Sequence, residues 1–236
     1  ILSAVTNKTL RQAYEAYPRT FMLFCRQVLA TDFKAMHRVQ LGEAPQLLKV
    51  GESGEFKRGT LGESKESYRI ETYGRVVAIT RQVLINDDLD AFTRIPAMYG
   101  NAIAQLESDV VWGIITANPA MADNKALFHA DHGNLAGSGA APDESTLSAA
   151  RLAMRTQTGL TDELIAVTPR FVLVPPALET TAEKILAQIQ AATTSDVNPF
   201  ASLVLIVEPR LSSATRWYVI ADPAQVDGLE YCYMKL

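Results

Sequence analysis

Residues that carry chemistry are scarce in this chain. Of 236 residues only two are cysteine, Cys25 and Cys232, and only three are histidine. The cysteines lie far apart with no Cys-x-x-Cys spacing, so neither a disulfide framework nor a thiolate zinc cluster is indicated, and reduced thiols in a cytosolic protein are expected. Cys25 sits in the apolar run FMLFCRQVL, where a free cysteine acts as a small hydrophobe; Arg26 alone is a weak reason for a reactive thiol. No Gly-Lys-Ser/Thr ending follows the glycines near residue 60, and no Gly-x-Ser-x-Gly singles out a serine, which removes the signatures of a phosphate loop and of a serine hydrolase. Apolar runs all fall short of the roughly eighteen residues of a membrane span. The N-terminus has no basic segment followed by an apolar one, so a chain neither secreted nor embedded is expected. An excess of positive charge is missing too: the net charge is −4, which argues against a broad cationic surface and sequence-specific DNA binding.

What is present is an ordinary globular composition, 48% hydrophobic and 20% charged, enough for a core in one or two domains. The chain is organised around residues 85–118. Asn86, Asp87 and Asp88 are suited to capping a helix start. Pro96 disfavours helical geometry at Ile95 but fits a first turn, so the reading is a short turn ending near Arg94 and a long helix over 96–117. Tyr99, Ile103, Leu106, Val110 and Ile114 recur at helical spacing and are expected to face the core, with Asn101, Gln105, Ser108 and Asp109 facing water. Asn118-Pro119 closes the helix.

Around this spine, residues 8–17 read as a helix and 21–29 as a second helical piece beyond Pro18. Residues 47–80 change texture: apolar, β-branched flanks enclose a middle rich in Gly, Ser, Glu and Lys, which reads as a β-hairpin with a long charged tip. Its second strand, with Tyr68, Ile70, Thr72 and Gly74 alternating against Arg69, Glu71, Tyr73 and Arg75, has no strongly apolar face. Such a strand suits an arm laid on a neighbouring molecule or a surface loop. GSGAAPDES (137–145) reads as a connector. Beyond it come a helix over 145–159 capped by Ser145 or Thr146 and stopped by Gly159, a buried strand at 170–175, a helix over 177–192, and strands at 203–208 and 217–221. This alternation predicts a compact α/β or α+β unit. Residues 229–236 alternate again as though a strand partner were missing, and the chain opens on Ile1, so both natural ends are expected to extend further.

His129, Asp131 and His132 supply the most chemically suggestive cluster, three metal-ligand types in four residues. With His37 the one histidine elsewhere, and Gly133-Asn134 adjacent, a tight turn with side chains bonded to backbone is the favoured reading. A metal-dependent hydrolase using His129, Asp131 and His132 is the alternative. No catalytic, cofactor-binding or metal residue is assigned.

The runs TRQVLINDDL, LFHADHGNL and LVPPALETTAE, set within matching stretches over nearly all of the chain, resemble the major head (capsid) subunit of Mu-like phages and prophages, often fused behind a ClpP-like prohead protease. That resemblance implies the Hong Kong 97-like capsid fold, α+β in class. It implies a peripheral domain over 1–144 holding the extended loop (about 47–80) and spine helix (about 96–117), and an axial domain over 145–228. A return to the peripheral domain starts at 229–236. It further implies no enzymatic activity or cofactor, self-association in pentamers and hexamers, an icosahedral shell enclosing DNA, and scaffold, prohead protease and portal as assembly partners. The setting implied is the virion, assembled in a bacterial cytoplasm. Lys57 and Lys65 lie where some relatives crosslink, but neither aligns to that motif. An encapsulin-like compartment keeps the fold and changes the cargo.

Overall fold

The computed structural model describes residues 2–41, 63–76, 91–160, 163–187 and 199–235. Its centre is a three-stranded sheet built on β4 (Pro169–Val174), which is buried on both faces, as its unbroken apolar sequence requires. β5 (Val204–Val207) pairs with it in parallel and β6 (Tyr218–Ala221) antiparallel. The two-residue repeat sends Phe171 and Leu173 to one side and Val172 and Val174 to the other. Val172 and Val174 pack with Leu147 of α3 (Glu144–Arg155), Ala182 of α4 (Glu179–Leu186) and Phe200. Phe171 and Leu173 meet Phe21, Phe24, Val111, Trp112 and Ile115. This second cluster joins the sheet to the long helix α2 (Ala91–Ala117) and to the N-terminal segment.

The structure corrects several expectations about α2. It is 27 residues long and passes through Pro96 without the break expected at Ile95. The reason is position: a proline in the second turn forfeits one backbone bond and crowds only the first-turn carbonyl, a cost that packing absorbs. At 1.5 Å per residue the rod spans ~40 Å. Residues 86–88, read as its cap, lie outside the described residues. Its end is as expected: Asn118 leaves the helical basin, with φ 47°, and its N–H reaches the Ile114 carbonyl at 3.1 Å.

The faces of α2 are the larger correction. Ala104, Ser108, Val111, Trp112 and Ile115 are buried, whereas Ile103, Leu106, Val110 and Ile114, expected inside, are between 37% and 45% exposed. Two apolar stripes run along this helix, and periodicity alone does not say which one meets the core. The partner decides: α1 (Leu2–Ala16) crosses so closely that a Cβ at Gly100 would lie 2.4 Å from the Leu10 carbonyl oxygen. Only the stripe with Gly100, Ala104 and Ser108 admits a backbone at that distance. Ser108, expected in water, instead satisfies itself by donating to the Ala104 carbonyl at 2.9 Å. Trp112 and Ile115, fully buried further along, each contribute on the order of 2–3 kcal/mol of apolar burial.

Residues 21–29 are not a helical piece. A 3-10 turn (Thr20–Leu23) leads into β1 (Arg26–Ala30), which pairs in parallel with β7 (Glu230–Met234), Arg26 opposite Glu230 and Ala30 opposite Met234. The strand partner expected to be missing for 229–236 is therefore β1 of the same chain. Cys25 is buried beside it, and burial pushes its thiol up to about 12, as suits a space-filling role.

The hairpin begins earlier than read. β2 (Met36–Leu41) pairs antiparallel with β3 (Glu63–Tyr68), while residues 69–76, read as the second strand, have no regular structure, and Val76 is 95% exposed. ESKES (63–67), assigned to the tip, joins Tyr68 in the strand because β2 sets Arg38 opposite Glu66 across the ladder. The flank 47–50 and most of the charged tip lie outside the described residues. α3 starts one residue before Ser145. Asp143, not Ser145 or Thr146, caps it: its carboxylate accepts from the Thr146 N–H at 2.7 Å and the Thr146 hydroxyl closes a capping box. The helix stops at Arg155 instead of Gly159. The expected helix over 177–192 begins as a 3-10 turn (Pro176–Leu178) and continues as α4.

Candidate assembly interface

Three carboxylates fix how the surface elements stand relative to the core. Glu107 on α2 accepts from Tyr14 of α1 at 2.9 and 3.0 Å, from Tyr233 of β7 at 3.0 Å, and pairs with Arg19 at 3.4 Å. Burial, then the Tyr14 hydrogen bond and the Glu107 charge, push the Tyr233 phenol upward, so it stays a donor. Glu208, buried at the end of β5, accepts from the Thr20 hydroxyl and pairs with Arg210 at 3.0 Å; Trp112 Nε1 donates to Thr20 Oγ1 at 3.2 Å. Arg210 also reaches Asp109 at 2.5 Å. Burial opposes the charge on Arg210, but bonds to Asp109, Tyr17 and Glu208 outweigh it.

Glu230 gathers the base of the hairpin. Tyr68 and Arg38 bond its carboxylate from β3 and β2, and Arg26 reaches it from β1 at 3.2 Å. Burial alone would raise this carboxyl; the bonds from Tyr68, Arg38 and Arg26 overcome that and hold it below its usual value. Glu66 of β3 accepts from the Ala122 N–H at 2.8 Å. The hairpin is thus a polar arm pinned at its root, while Val39 remains more than half exposed.

The histidine cluster folds as a turn. His129 Nδ1 accepts from the Asp131 N–H at 3.1 Å, and Asn134 bonds the His129 N–H at 2.9 Å and the Leu127 carbonyl at 2.7 Å. Asp131 pairs with Lys125 at 2.7 Å, and His132 Nε2 with Asp123 at 2.8 Å. His129 and His132 stand edge to face, 6.0 Å between ring centres. The candidate ligands are therefore neighbours: His129 Nδ1 lies 3.7 Å from the Asp131 carboxylate while His132 turns to Asp123, and among the described residues no three ligating side chains converge. His37 lies on β2. The carboxylate clamps at Glu107, Glu208 and Glu230 escaped the sequence reading because, Arg210 beside Glu208 apart, their partners are 88 or more residues distant in the chain.

Along α2 an apolar face of Ile103, Leu106, Val110 and Ile114 stays partly exposed. Singly exposed hydrophobes are normal; four on one face of one helix mark a contact surface. A family model described as phage capsid protein matches residues 63–235. The chain belongs to the phage capsid protein family. This capsid protein is similar in fold to a chain from the procapsid of bacteriophage JBD30, with 13% identity over 89% of this chain and 97% of that one, at a TM-score of 0.65. A chain from the capsid of the same phage gives 0.67, with 13% identity over 84% and 92%. One from Mycobacterium phage Adephagia gives 0.53, with 18% identity over 86% and 67%. No curated protein matches in sequence. A capsid protein is a structural subunit of the virion, and its functional surfaces are those that meet other subunits. The mixed helices and sheets fit the expected α+β class.

Proposed function

We propose that this chain is the major head subunit of a Mu-like phage or prophage, built on the Hong Kong 97-like plan. Residues 1–144 form a peripheral domain with a spine helix and an extended arm; 145–228 form the axial domain around which pentamers and hexamers gather. The product is an icosahedral shell that encloses DNA without reading its sequence, assembled in a bacterial cytoplasm with a scaffold or prohead protease and a portal. The observation that most supports this reading is the pairing of a pinned polar hairpin with an open apolar helix face on one subunit. Different patches meeting different neighbours generate closed rings, and many weak contacts suffice because each later one is intramolecular in effect.

Electron microscopy of the full-length protein under assembly conditions tests it. Closed particles of uniform size are expected. A protein that stays monomeric across salt, crowding and scaffold conditions would overturn the reading.

A further inference from the structure

The open face of α2 has the spacing of a helix-pairing seam. Tyr99, Ile103, Leu106, Val110 and Gly113 alternate by four and three residues, the repeat that keeps one stripe facing a second helix. Ile103, Leu106 and Val110 keep 37% to 45% of their surface exposed, and Tyr99 and Gly113 are half-buried. Gly113 is the informative member. It is in the interior of a helix, where glycine is disfavoured relative to alanine, and among the described residues nothing asks for it: a Cβ there would meet nothing within 4 Å. This contrasts with Gly100 on the same helix, which α1 requires. A glycine that no described residue requires, on a partly exposed apolar seam, fits close approach from outside.

The seam is also self-complementary. Its largest side chain, Tyr99, lies seven residues before Leu106, and its side-chain-free position, Gly113, lies seven after. Two copies laid antiparallel about Leu106 therefore set Tyr99 of each over Gly113 of the other, with Ile103 against Val110. Asp109, the charge beside the seam, is already paired with Arg210 at 2.5 Å, so two copies bring no unpaired like charges together there. The geometry points to a two-fold contact between spine helices of neighbouring subunits, closed by Tyr99 packing on the partner's Gly113. Four side chains about 40% exposed amount to only ~300 Å² per copy, well short of the ~800 Å² per partner of a free-standing complex. The contact consequently belongs to the assembled shell, where other contacts hold the subunits together, and it rests on the shell reading above.

The test uses full-length protein assembled into particles. Leu106→Cys should give a disulfide-linked dimer on mild oxidation of particles, and so should mixed Tyr99→Cys and Gly113→Cys subunits, while free subunits stay uncrosslinked. Gly113→Ala should raise the unfolding midpoint of the free subunit yet lower particle yield several-fold, opposite signs that a folding defect does not produce. Particles that form normally with Gly113→Leu, or Leu106→Cys particles that stay uncrosslinked on oxidation, would overturn the contact while leaving the shell reading intact. Absence of particles from the unsubstituted chain would instead overturn the shell reading.

Discussion

Replacing Gly100 by alanine separates helix propensity from packing on a single atom. The new Cβ would lie 2.4 Å from the Leu10 carbonyl oxygen, 2.9 Å from the Tyr14 nitrogen and 3.0 Å from the Ala13 Cβ. A carbon and a carbonyl oxygen ordinarily approach no nearer than ~3.3 Å, and the obstacles are backbone, so α1 must withdraw by almost that difference of ~1 Å. Overpacking of this kind costs ~1–3 kcal/mol, against which alanine's better helix propensity returns up to ~1 kcal/mol. The net loss expected is ~1–2 kcal/mol, or about 3–6 °C in unfolding midpoint for a chain of this size. Withdrawal also lengthens the Tyr14 to Glu107 bonds, so α1 amides should lose protection in hydrogen exchange before the β4 amides do. A midpoint that is unchanged or raised, with α1 still protected, would show that α1 is not seated on Gly100.

Three further outcomes are expected. Glu208→Gln removes the charge from a buried acceptor serving Thr20 and Arg210, and should lower stability by ~1–3 kcal/mol in urea unfolding; no change would mean the carboxylate does not hold β5 to the N-terminal turn. The bond to Asp123 raises His132 above its ordinary 6.5, while Asp123 is held below 3.8 chiefly by that same bond. The histidine's contribution is thus complete below about 6.5 and fades as pH rises through its higher folded value; the aspartate's is present above about 3.8 and fades as pH falls below it. Exchange protection of residues 127–134 should therefore peak between those limits, and an NMR titration placing His132 at or below 6.5 would contradict the bond. Adding zinc and then a chelator should leave the unfolding midpoint unmoved, because His132 is turned to Asp123 and away from the His129 and Asp131 pair; a zinc-dependent rise would favour the hydrolase alternative.

Much of this was legible where a run of residues settles its own fate. FVLV, LVLIVE and WYVIA read as strands because nothing but a sheet buries so short and unbroken an apolar run in this context, and the long helix read as a helix from its period. Orientation was not legible. α2 has two apolar stripes, and α1 selects the one with Gly100 and Ala104 by demanding small residues, a requirement written in another element. FMLFCRQVL lacks a clear period, and its second half is a strand because β7, two hundred residues away, offers a partner. Asp143 was missed as the cap although Asp-x-x-Thr is visible in the sequence; the neighbouring Ser145 and Thr146 drew the assignment instead. The histidine turn was read from Gly133-Asn134, and Asn134 does tie that turn.

The parallel pairing of β1 with β7 has a consequence for synthesis. Arg26 leaves the ribosome some two hundred residues ahead of Glu230, its ladder neighbour. Until the far strand emerges, the early one presents unsatisfied amides and carbonyls, and the clamps at Glu107 and Glu230 lack Tyr233 and the Glu230 carboxylate itself. Closing so long a loop is slow and comes last. A subunit made only as far as α2 therefore has its rod but neither the Glu230 root clamp nor the Tyr233 bond to Glu107, which ties the seating of the arm to the emergence of β7.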